Sequence, residues 1–270
     1  MEHIRQAVER AKEQLSERDR RDALRHVRTP SPSISALDDH DFDVVRLDPS
    51  KLQAHRIVGY DGKDPLSRPF DVLRTEVLRS MDLNGWKTVA VTAPTSGCGK
   101  TLTAINLALS MARQPERQVC LIDLDLRKPQ VGACLGLTGR DGTLGIIEGR
   151  LNLGNAMVKV EVGNSRLDVL PTAPSSDPSD LIGSNETKLL LQDIAGYPAS
   201  RIAIIDLPPL LTGHDALSIL PHVDCVLFIV AAGISKLREI NDCNKYLQSV
   251  DVVRFVLNKA PEAATKYVYY

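Results

Sequence analysis

Residues 87–101 read Lys87-Thr88-Val89-Ala90-Val91-Thr92-Ala93-Pro94-Thr95-Ser96-Gly97-Cys98-Gly99-Lys100-Thr101. The six residues after Lys87 are β-branched or apolar, a strand in character. Lys100 to Ala112 reads as a helix. Between them lies most of a phosphate-binding loop, whose usual pattern is G-x-x-x-x-G-K-[ST] set between a strand and a helix. Gly99, Lys100 and Thr101 fit that pattern, and Pro94 stands where its first glycine belongs. Gly97 and Gly99 let the main chain approach an anion without a Cβ in the way. Loop residues Ser96, Gly97, Cys98 and Gly99, followed by Lys100, Thr101 and Leu102 at the helix N-terminus, are expected to cradle the phosphates of a nucleotide with their amides. Lys100 is expected to reach the β and γ phosphates, and the Thr101 hydroxyl to ligate Mg²⁺.

Outward from the loop, two acidic strand ends complete a candidate site. The run Gln118 to Leu124 is a buried strand, and it delivers Asp123 and Asp125 at i, i+2 near its carboxyl end. That end is where ligands bind in open α/β sheets. A later run, Ile202-Ala203-Ile204-Ile205-Asp206, places an aspartate after four buried residues, the arrangement in which a carboxylate holds Mg²⁺ through its water shell. A single aspartate at a strand end more often caps a turn. Three of them downstream of one phosphate loop point to a shared metal and catalytic site.

The rest of the chain repeats the alternation. Phe70 to Met81 reads as a helix with Leu73, Val77 and Met81 on one face, and Arg166–Ala173, Arg201–Leu207, Cys225–Gly233 and Val252–Lys259 are further short apolar runs. Continuous apolar strands alternating with helices predict an α/β fold, a mostly parallel sheet with helices on both faces. Residues 1–66 look different and read as an N-terminal helix and flexible linker; residues 67–260 form the expected phosphate-loop domain; residues 261–270 are a tyrosine-bearing tail. In the first part Ile4, Val8, Ala11 and Leu15 make a helical stripe, Thr29 to Ser35 has the proline and serine content of a linker, and the acidic run Asp38 to Asp41 reads as solvated.

Composition narrows the function classes. The 270 residues carry 33 Lys plus Arg against 34 Asp plus Glu, a net charge of −1 that gives no support for a nucleic-acid partner. Aromatic residues are only 4%, which argues against base-stacking platforms. No apolar run reaches the roughly 18–20 residues of a spanning helix, and the N-terminus lacks the apolar core of a secretory signal. The five cysteines (Cys98, Cys120, Cys134, Cys225 and Cys243) contain no C-x-x-C pair, so they read as buried thiols of a reducing, cytoplasmic compartment. Cys98 differs in lying inside the phosphate loop, where amides and Lys100 would favour its thiolate.

From about Phe70 onward the chain resembles the cytoplasmic domain of the bacterial tyrosine kinases (BY-kinases) of capsule and exopolysaccharide synthesis, P-loop NTPases related to the MinD/ParA ATPases. The residues that carry the resemblance are TAPTSGCGKT at 92–101 (Walker A), LIDLDLRKP at 121–129 (Walker A′), IIDLPPLL at 204–211 followed by Asp215-Ala216 (Walker B), VLNKA at 256–260, and the tail Lys266-Tyr267-Val268-Tyr269-Tyr270. LPTAPSSDPSDLIGS at 170–184 resembles the loop that precedes a helix in this family. The resemblance implies ATP and Mg²⁺ as cofactors. It implies that Asp123 accepts the proton of an attacking tyrosine, that Asp125 joins Thr101 and Asp206 at the metal, and that Asn258 contacts adenine. It further implies autophosphorylation of Tyr267, Tyr269 and Tyr270, a homo-oligomer in which a tail enters a neighbouring subunit, and a tyrosine phosphatase as opposing partner. The membrane partner would be a membrane-embedded polysaccharide co-polymerase or chain-length determinant. Through it this cytoplasmic chain would sit at the inner membrane, the Ile4–Leu15 stripe being the candidate contact.

Three departures, Pro94 in the phosphate loop, the altered ring-assembly motif and the short tail, keep an alternative open against one feature that opposes it. The MinD/ParA ATPases carry a second lysine early in the loop, where this chain has Thr95, which favours the kinase branch. The E-x-x-R-x-x-R ring-assembly motif of BY-kinases aligns with Arg68, Asp71 and Arg74, of which only the last matches. The tail holds three tyrosines rather than a long cluster. The alternative is a MinD/ParA-like ATPase that switches assembly with its nucleotide and has no tyrosine kinase activity.

Overall fold

The computed structural model of the chain describes residues 42–196, 201–248, 250 and 253–260. In chain order these form β1 (Asp43–Arg46), α1 (Pro49–Ala54), α2 (Arg68–Asn84), β2 (Thr88–Thr92), α3 (Lys100–Met111), β3 (Gln118–Asp123), α4 (Val131–Leu135), α5 (Gly142–Ile147), α6 (Leu153–Ala156), β4 (Val158–Val162), β5 (Ser165–Leu170), α7 (Pro178–Ile182), α8 (Asn185–Gly196), β6 (Arg201–Asp206), α9 (Asp215–Ile219), β7 (Cys225–Ala231), α10 (Leu237–Leu247) and β8 (Val253–Asn258). The strands make one eight-stranded sheet in the order β1-β4-β5-β3-β6-β2-β7-β8. The six strands from β5 to β8 run parallel. β4 pairs antiparallel with β5, and β1 pairs parallel with β4.

Strand periodicity explains how one sheet buries both faces. Successive side chains point to opposite sides. Val89 and Val91 of β2, with Ile202 and Ile204 of β6, pack with α2 and α3. Ala90 of β2, with Ala203 and Ile205 of β6, packs with α8, α9 and α10 on the other face. Every residue of β2 and β6 is buried, as central parallel strands require. The expected α/β architecture, with helices on both faces, is therefore present.

Residues 42–66 differ from the expected linker. Asp43–Arg46 is an edge strand on β4, and Leu47, Leu52 and Ile57 join the same core as α3. One side chain fastens this stretch. The buried Asn106 of α3 accepts the N–H groups of Val58 and Gly59 at 2.7 and 2.8 Å through Oδ1. Its Nδ2 donates to the carbonyls of Arg56 at 3.2 Å and Leu102 at 2.9 Å. The fit is close because residue 59 is glycine: a Cβ there would lie 2.1 Å from the Asn106 carbonyl oxygen. The sequence reading missed this because the segment carries scattered apolar residues without a helical or alternating period. The striped helix at Ile4–Leu15, the proline and serine linker and the acidic run Asp38–Asp41 lie outside the described residues.

This packing has a measurable consequence. Ile57 is wholly buried and Leu52 nearly so. Ile57→Ala and Leu52→Ala are each expected to destabilise the fold by about 2–5 kcal/mol, the range for truncating a buried aliphatic side chain. Urea denaturation measures this, and a change below about 0.5 kcal/mol, the range of surface substitutions, would return the stretch to linker status.

Candidate nucleotide and catalytic site

The loop between β2 and α3 has the backbone its sequence demands. Gly97 and Gly99 hold φ of 82° and 89°, in the left-handed region that suits glycine. Gly99 also meets a neighbour: a Cβ there would lie 2.3 Å from Nδ2 of Asn258. Asn258 ends β8 and donates from Nδ2 to the Cys98 carbonyl at 2.9 Å. The next residue, Lys259, donates from Nζ to the Gly97 carbonyl at 2.9 Å. Asn258 thus stands against the loop, with one of its two amide hydrogens engaged there. Ser96 and Gly97 are exposed at the loop tip, whereas Leu102 packs against the core. The Cys98 thiol is turned inward, 1% exposed and 3.4 Å from the Ser235 hydroxyl, so it is sheltered from solvent reagents. All five cysteines are free thiols. Burial pushes Cys120 and Cys225 up to about 12 and Cys243 up to about 11, which fits inert packing.

The acids meet where the sequence places them. The register of β3 on β6 sets Asp123 directly beside Asp206. The Thr101 hydroxyl donates to Asp206 Oδ2 at 2.6 Å. Lys100 Nζ lies 2.8 Å from Asp125 Oδ2, 3.5 Å from Asp206 Oδ1 and 3.3 Å from the Thr101 hydroxyl. One ammonium therefore serves two carboxylates of a buried group of three. Burial alone would depress Lys100, but Asp206 and Asp125 overcome it and hold its ammonium above the usual lysine range. Asp123 is wholly buried. Its Oδ1 accepts the Asp125 N–H at 3.1 Å, and its Oδ2 accepts those of Gln130 and Val131 at 3.2 and 3.0 Å. Burial and then the charge of Asp206 push its carboxyl up to about 8, outweighing those N–H donors and Lys100. Burial raises Asp206 as well, against the pull of Lys100 and Thr101.

Among the described residues no group of three His, Cys, Asp or Glu side chains is arranged as a metal cage. Mg²⁺ does not need one. It keeps several waters and binds through one or two carboxylates plus substrate phosphates. A hydroxyl beside a carboxylate at the foot of a phosphate loop, with acid in excess of base, is an oxygen donor set that suits it.

One pairing escaped the sequence reading. Arg127, in the LIDLDLRKP run, donates from Nε to Oδ2 of the buried Asp215 at 2.5 Å, and from Nη2 to the Ser179 hydroxyl at 2.8 Å. The Ser179 hydroxyl donates to Asp215 Oδ1 at 2.5 Å. Burial would raise Asp215, yet these two partners hold it below the usual carboxylate range. The triad ties the loop after β3 to α7 and α9. Its members lie 36 to 88 residues apart, so no local spacing reveals it. Asp71 and Arg74, at the ring-motif positions, also face inward. Asp71 Oδ1 accepts from Arg113 at 2.6 Å, Ser110 at 2.7 Å and Arg74 at 3.2 Å, binding α2 to α3. Tyr267, Tyr269 and Tyr270 lie outside the described residues.

The raised Asp123 carries a pH signature. Its folded-state value lies above its unfolded one, so the folded chain holds an extra proton between about pH 4 and pH 8. Its contribution to stability therefore falls as pH rises through that window. Relative to Asp123→Asn, which cannot ionise, the wild-type protein is expected to lose stability by on the order of 1 kcal/mol per pH unit from pH 5 to pH 8. Denaturant titrations at several pH values check this, and a pH-independent difference would rule out a raised Asp123.

Comparison with known proteins agrees with this geometry. The family described as the CobQ/CobB/MinD/ParA nucleotide binding domain matches residues 89–268. The chain is 30% identical over 186 residues to tyrosine-protein kinase YwqD of Bacillus subtilis (strain 168), covering 68% of this chain and 76% of that one. It is 27% identical over 184 residues to tyrosine-protein kinase CpsD of Streptococcus pneumoniae serotype 4, covering 67% of this chain and 79% of that one. Among solved structures, the kinase domain of VpsO superposes with a TM-score of 0.62 at 27% identity, covering 72% of this chain and 96% of that one. The phosphate loop, the paired strand-end acids and these matches together show that the chain belongs to the CobQ/CobB/MinD/ParA family of nucleotide-binding domains, in its bacterial tyrosine kinase branch.

Proposed function

We propose that this protein is an ATP-dependent protein-tyrosine autokinase that regulates the polymerisation and export of capsule or exopolysaccharide. One observation carries the reading: Asp123, a buried carboxyl raised to about 8, sits beside Asp206 and the Lys100–Thr101 end of the phosphate loop. A phosphate-binding loop alone serves any nucleotide hydrolase. A proton acceptor stronger than a solvated aspartate, next to that loop, suits transfer to a hydroxyl as weakly acidic as that of tyrosine.

The roles follow from the donor set. The amides from Ser96 to Leu102 hold the phosphates of ATP, and Lys100 exchanges its contact with Asp125 for the β and γ phosphates. Thr101, Asp125 and Asp206 hold Mg²⁺, which when bound neutralises charge on the phosphates. Asp123 accepts the tyrosine proton in its ionised form, which a cation on the neighbouring carboxylates would favour by offsetting the charge of Asp206. Three N–H groups engage the two oxygens of Asp123, which leaves one acceptor position on Oδ1 for the hydroxyl. Asn258 contacts adenine. Catalysis is mainly positioning and charge neutralisation, as in phosphoryl transfer generally.

The acceptors are Tyr267, Tyr269 and Tyr270 in the tail of a neighbouring copy. Each phosphate adds about −1.5 to −2 charges near neutral pH, so modification repels neighbouring subunits and a tyrosine phosphatase resets them. Among the described residues no helix is long and apolar enough to cross a membrane. The proposed link to export is a membrane-embedded co-polymerase or chain-length determinant, which holds this cytoplasmic kinase at the inner membrane. The assembly-switch alternative draws on the inward-facing Asp71 and Arg74, which leave the ring-motif positions engaged with α3.

Incubation with Mg-ATP followed by mass spectrometry separates the two. The kinase reading expects phosphate on the tail tyrosines and its loss, by at least about a hundredfold, in Lys100→Met, since a transition-state charge contact of this kind is typically worth that much. Unmodified tyrosines in a protein that binds and hydrolyses ATP would establish the switch instead. Wild-type phosphorylation in Lys100→Met would remove the site.

A further inference from the structure

We infer that the end of β8, Asn258 with Lys259, is a rear clamp that fixes the phosphate-binding amides of the loop before a nucleotide arrives. The argument starts from the planar trans peptide, in which C=O and N–H point in opposite directions. The Gly97 carbonyl shares its peptide plane with the Cys98 N–H, and the Cys98 carbonyl with the Gly99 N–H. Lys259 Nζ holds the first carbonyl and Asn258 Nδ2 the second, both at 2.9 Å. Pinning two successive carbonyls on the β8 side turns two successive N–H groups the other way, into the concavity that opens on α3. Among the described residues neither N–H has a main-chain acceptor, so both remain available to an anion.

Three features show that the clamp is built from the sheet side. The Lys259 N–H donates to Asn258 Oδ1 at 2.8 Å, which orients that amide so that its NH₂ end faces the loop. Lys259 also holds φ of 56°, and it shares a positive φ with only Arg56 among the described non-glycine residues. A lysine held in the left-handed region signals a position that the surrounding structure over-determines. Asn258 is itself anchored by pairing with Ala231, and its carbonyl accepts the Ala232 N–H at 2.9 Å. Gly99 completes the fit, since any side chain there would strike the Asn258 amide.

Lys259 is therefore a positioning residue for phosphate, acting through the loop. A hydrogen bond from an ammonium also polarises the peptide it meets, which strengthens the N–H at its other end. This role is separate from base recognition by Asn258, and it rests on the loop being the nucleotide site.

The test compares the full chain with Lys259→Met and Lys259→Arg. ADP affinity is measured by calorimetry, and the Cys98 and Gly99 amides of the ligand-free proteins are followed by ¹⁵N–¹H spectroscopy. Lys259→Met is expected to weaken ADP binding by about tenfold, the low end of the worth of a hydrogen bond from a charged donor, because this contact is exposed. Lys259→Arg is expected to restore it to within about twofold, as a second cationic donor. The Cys98 amide resonance of ligand-free Lys259→Met should also move, which mere loss of a distant surface charge would not cause. ADP binding by Lys259→Met at the wild-type level, an unmoved Cys98 amide, or failure of the arginine variant to restore affinity would each overturn the clamp. A wild-type chain that does not bind ADP would instead overturn the nucleotide-site reading beneath it.

Discussion

The register that lays β3 against β6 is the constraint on which the rest of the site depends. It opposes Asp123 to Asp206 at the carboxyl ends of two buried central strands, where neither side chain can turn to solvent. Two carboxylates so placed cannot both ionise without a cation nearby. The fold answers in three ways. Lys100 reaches in from α3, backbone N–H groups of the 125–131 segment point at Asp123, and the Thr101 hydroxyl points at Asp206. Each answer also involves a group to which the proposed phosphoryl transfer gives a role. The electrostatic problem posed by the strand register and the chemistry proposed for the site are thus one arrangement seen in two charge states.

Lys100 shows how the two states connect. Its ammonium pairs with Asp125 and leans on Asp206, both almost wholly buried. A buried ion pair gains little net stability, because desolvation consumes most of the attraction, but breaking it leaves an expensive charge. In the proposed reaction a nucleotide with its cation would exchange these partners at small net cost: phosphate would take the ammonium and the carboxylates would be left to hold the divalent ion. The same exchange would ease the charge of Asp206, which adds to burial in raising Asp123, and leave burial to keep its proton affinity above that of a solvated aspartate. Occupancy of the site and the proton affinity of its base are therefore linked through a single lysine.

Much of this was legible in the sequence, for a physical reason. Central parallel strands are buried on both faces, so β2, β3, β6 and β7 appear as largely apolar runs, and β3 and β6 end in Asp123 and Asp206. The strand–loop–helix order then locates Lys100, Thr101, Asp123, Asp125 and Asp206 without any coordinates. The edge of the sheet was harder. β1 is four residues with mostly exposed side chains, and its partner lies more than a hundred positions away. β4 carries a signal that the reading passed over: Val158-Lys159-Val160-Glu161-Val162 alternates perfectly, with the valines buried. The Arg127–Ser179–Asp215 triad and the Asn258–Lys259 contacts on the loop join residues far apart in sequence. Such pairings are decided by sheet order, which local spacing does not encode.

Sheet order also resolves the departure at Pro94. Glycine opens the usual phosphate loop, and proline lacks the N–H that every other residue could offer an anion. In this fold position 94 faces a different task. Ala93 and Pro94 extend β2 alongside the segment after β6, accepting the N–H groups of Leu210 at 2.9 Å and Leu211 at 3.1 Å. Only carbonyls are needed there, and a proline carbonyl serves as well as any other. Pro94 is not among the positive-φ residues; the left-handed geometry of the loop is carried later, by Gly97 and Gly99. The donors expected to meet phosphate come from Ser96 onward, so the substitution removes none of them. It stiffens the exit from β2 at a point where the chain pairs with the strand that supplies Asp206, and so fixes the start of the loop relative to the acid below it.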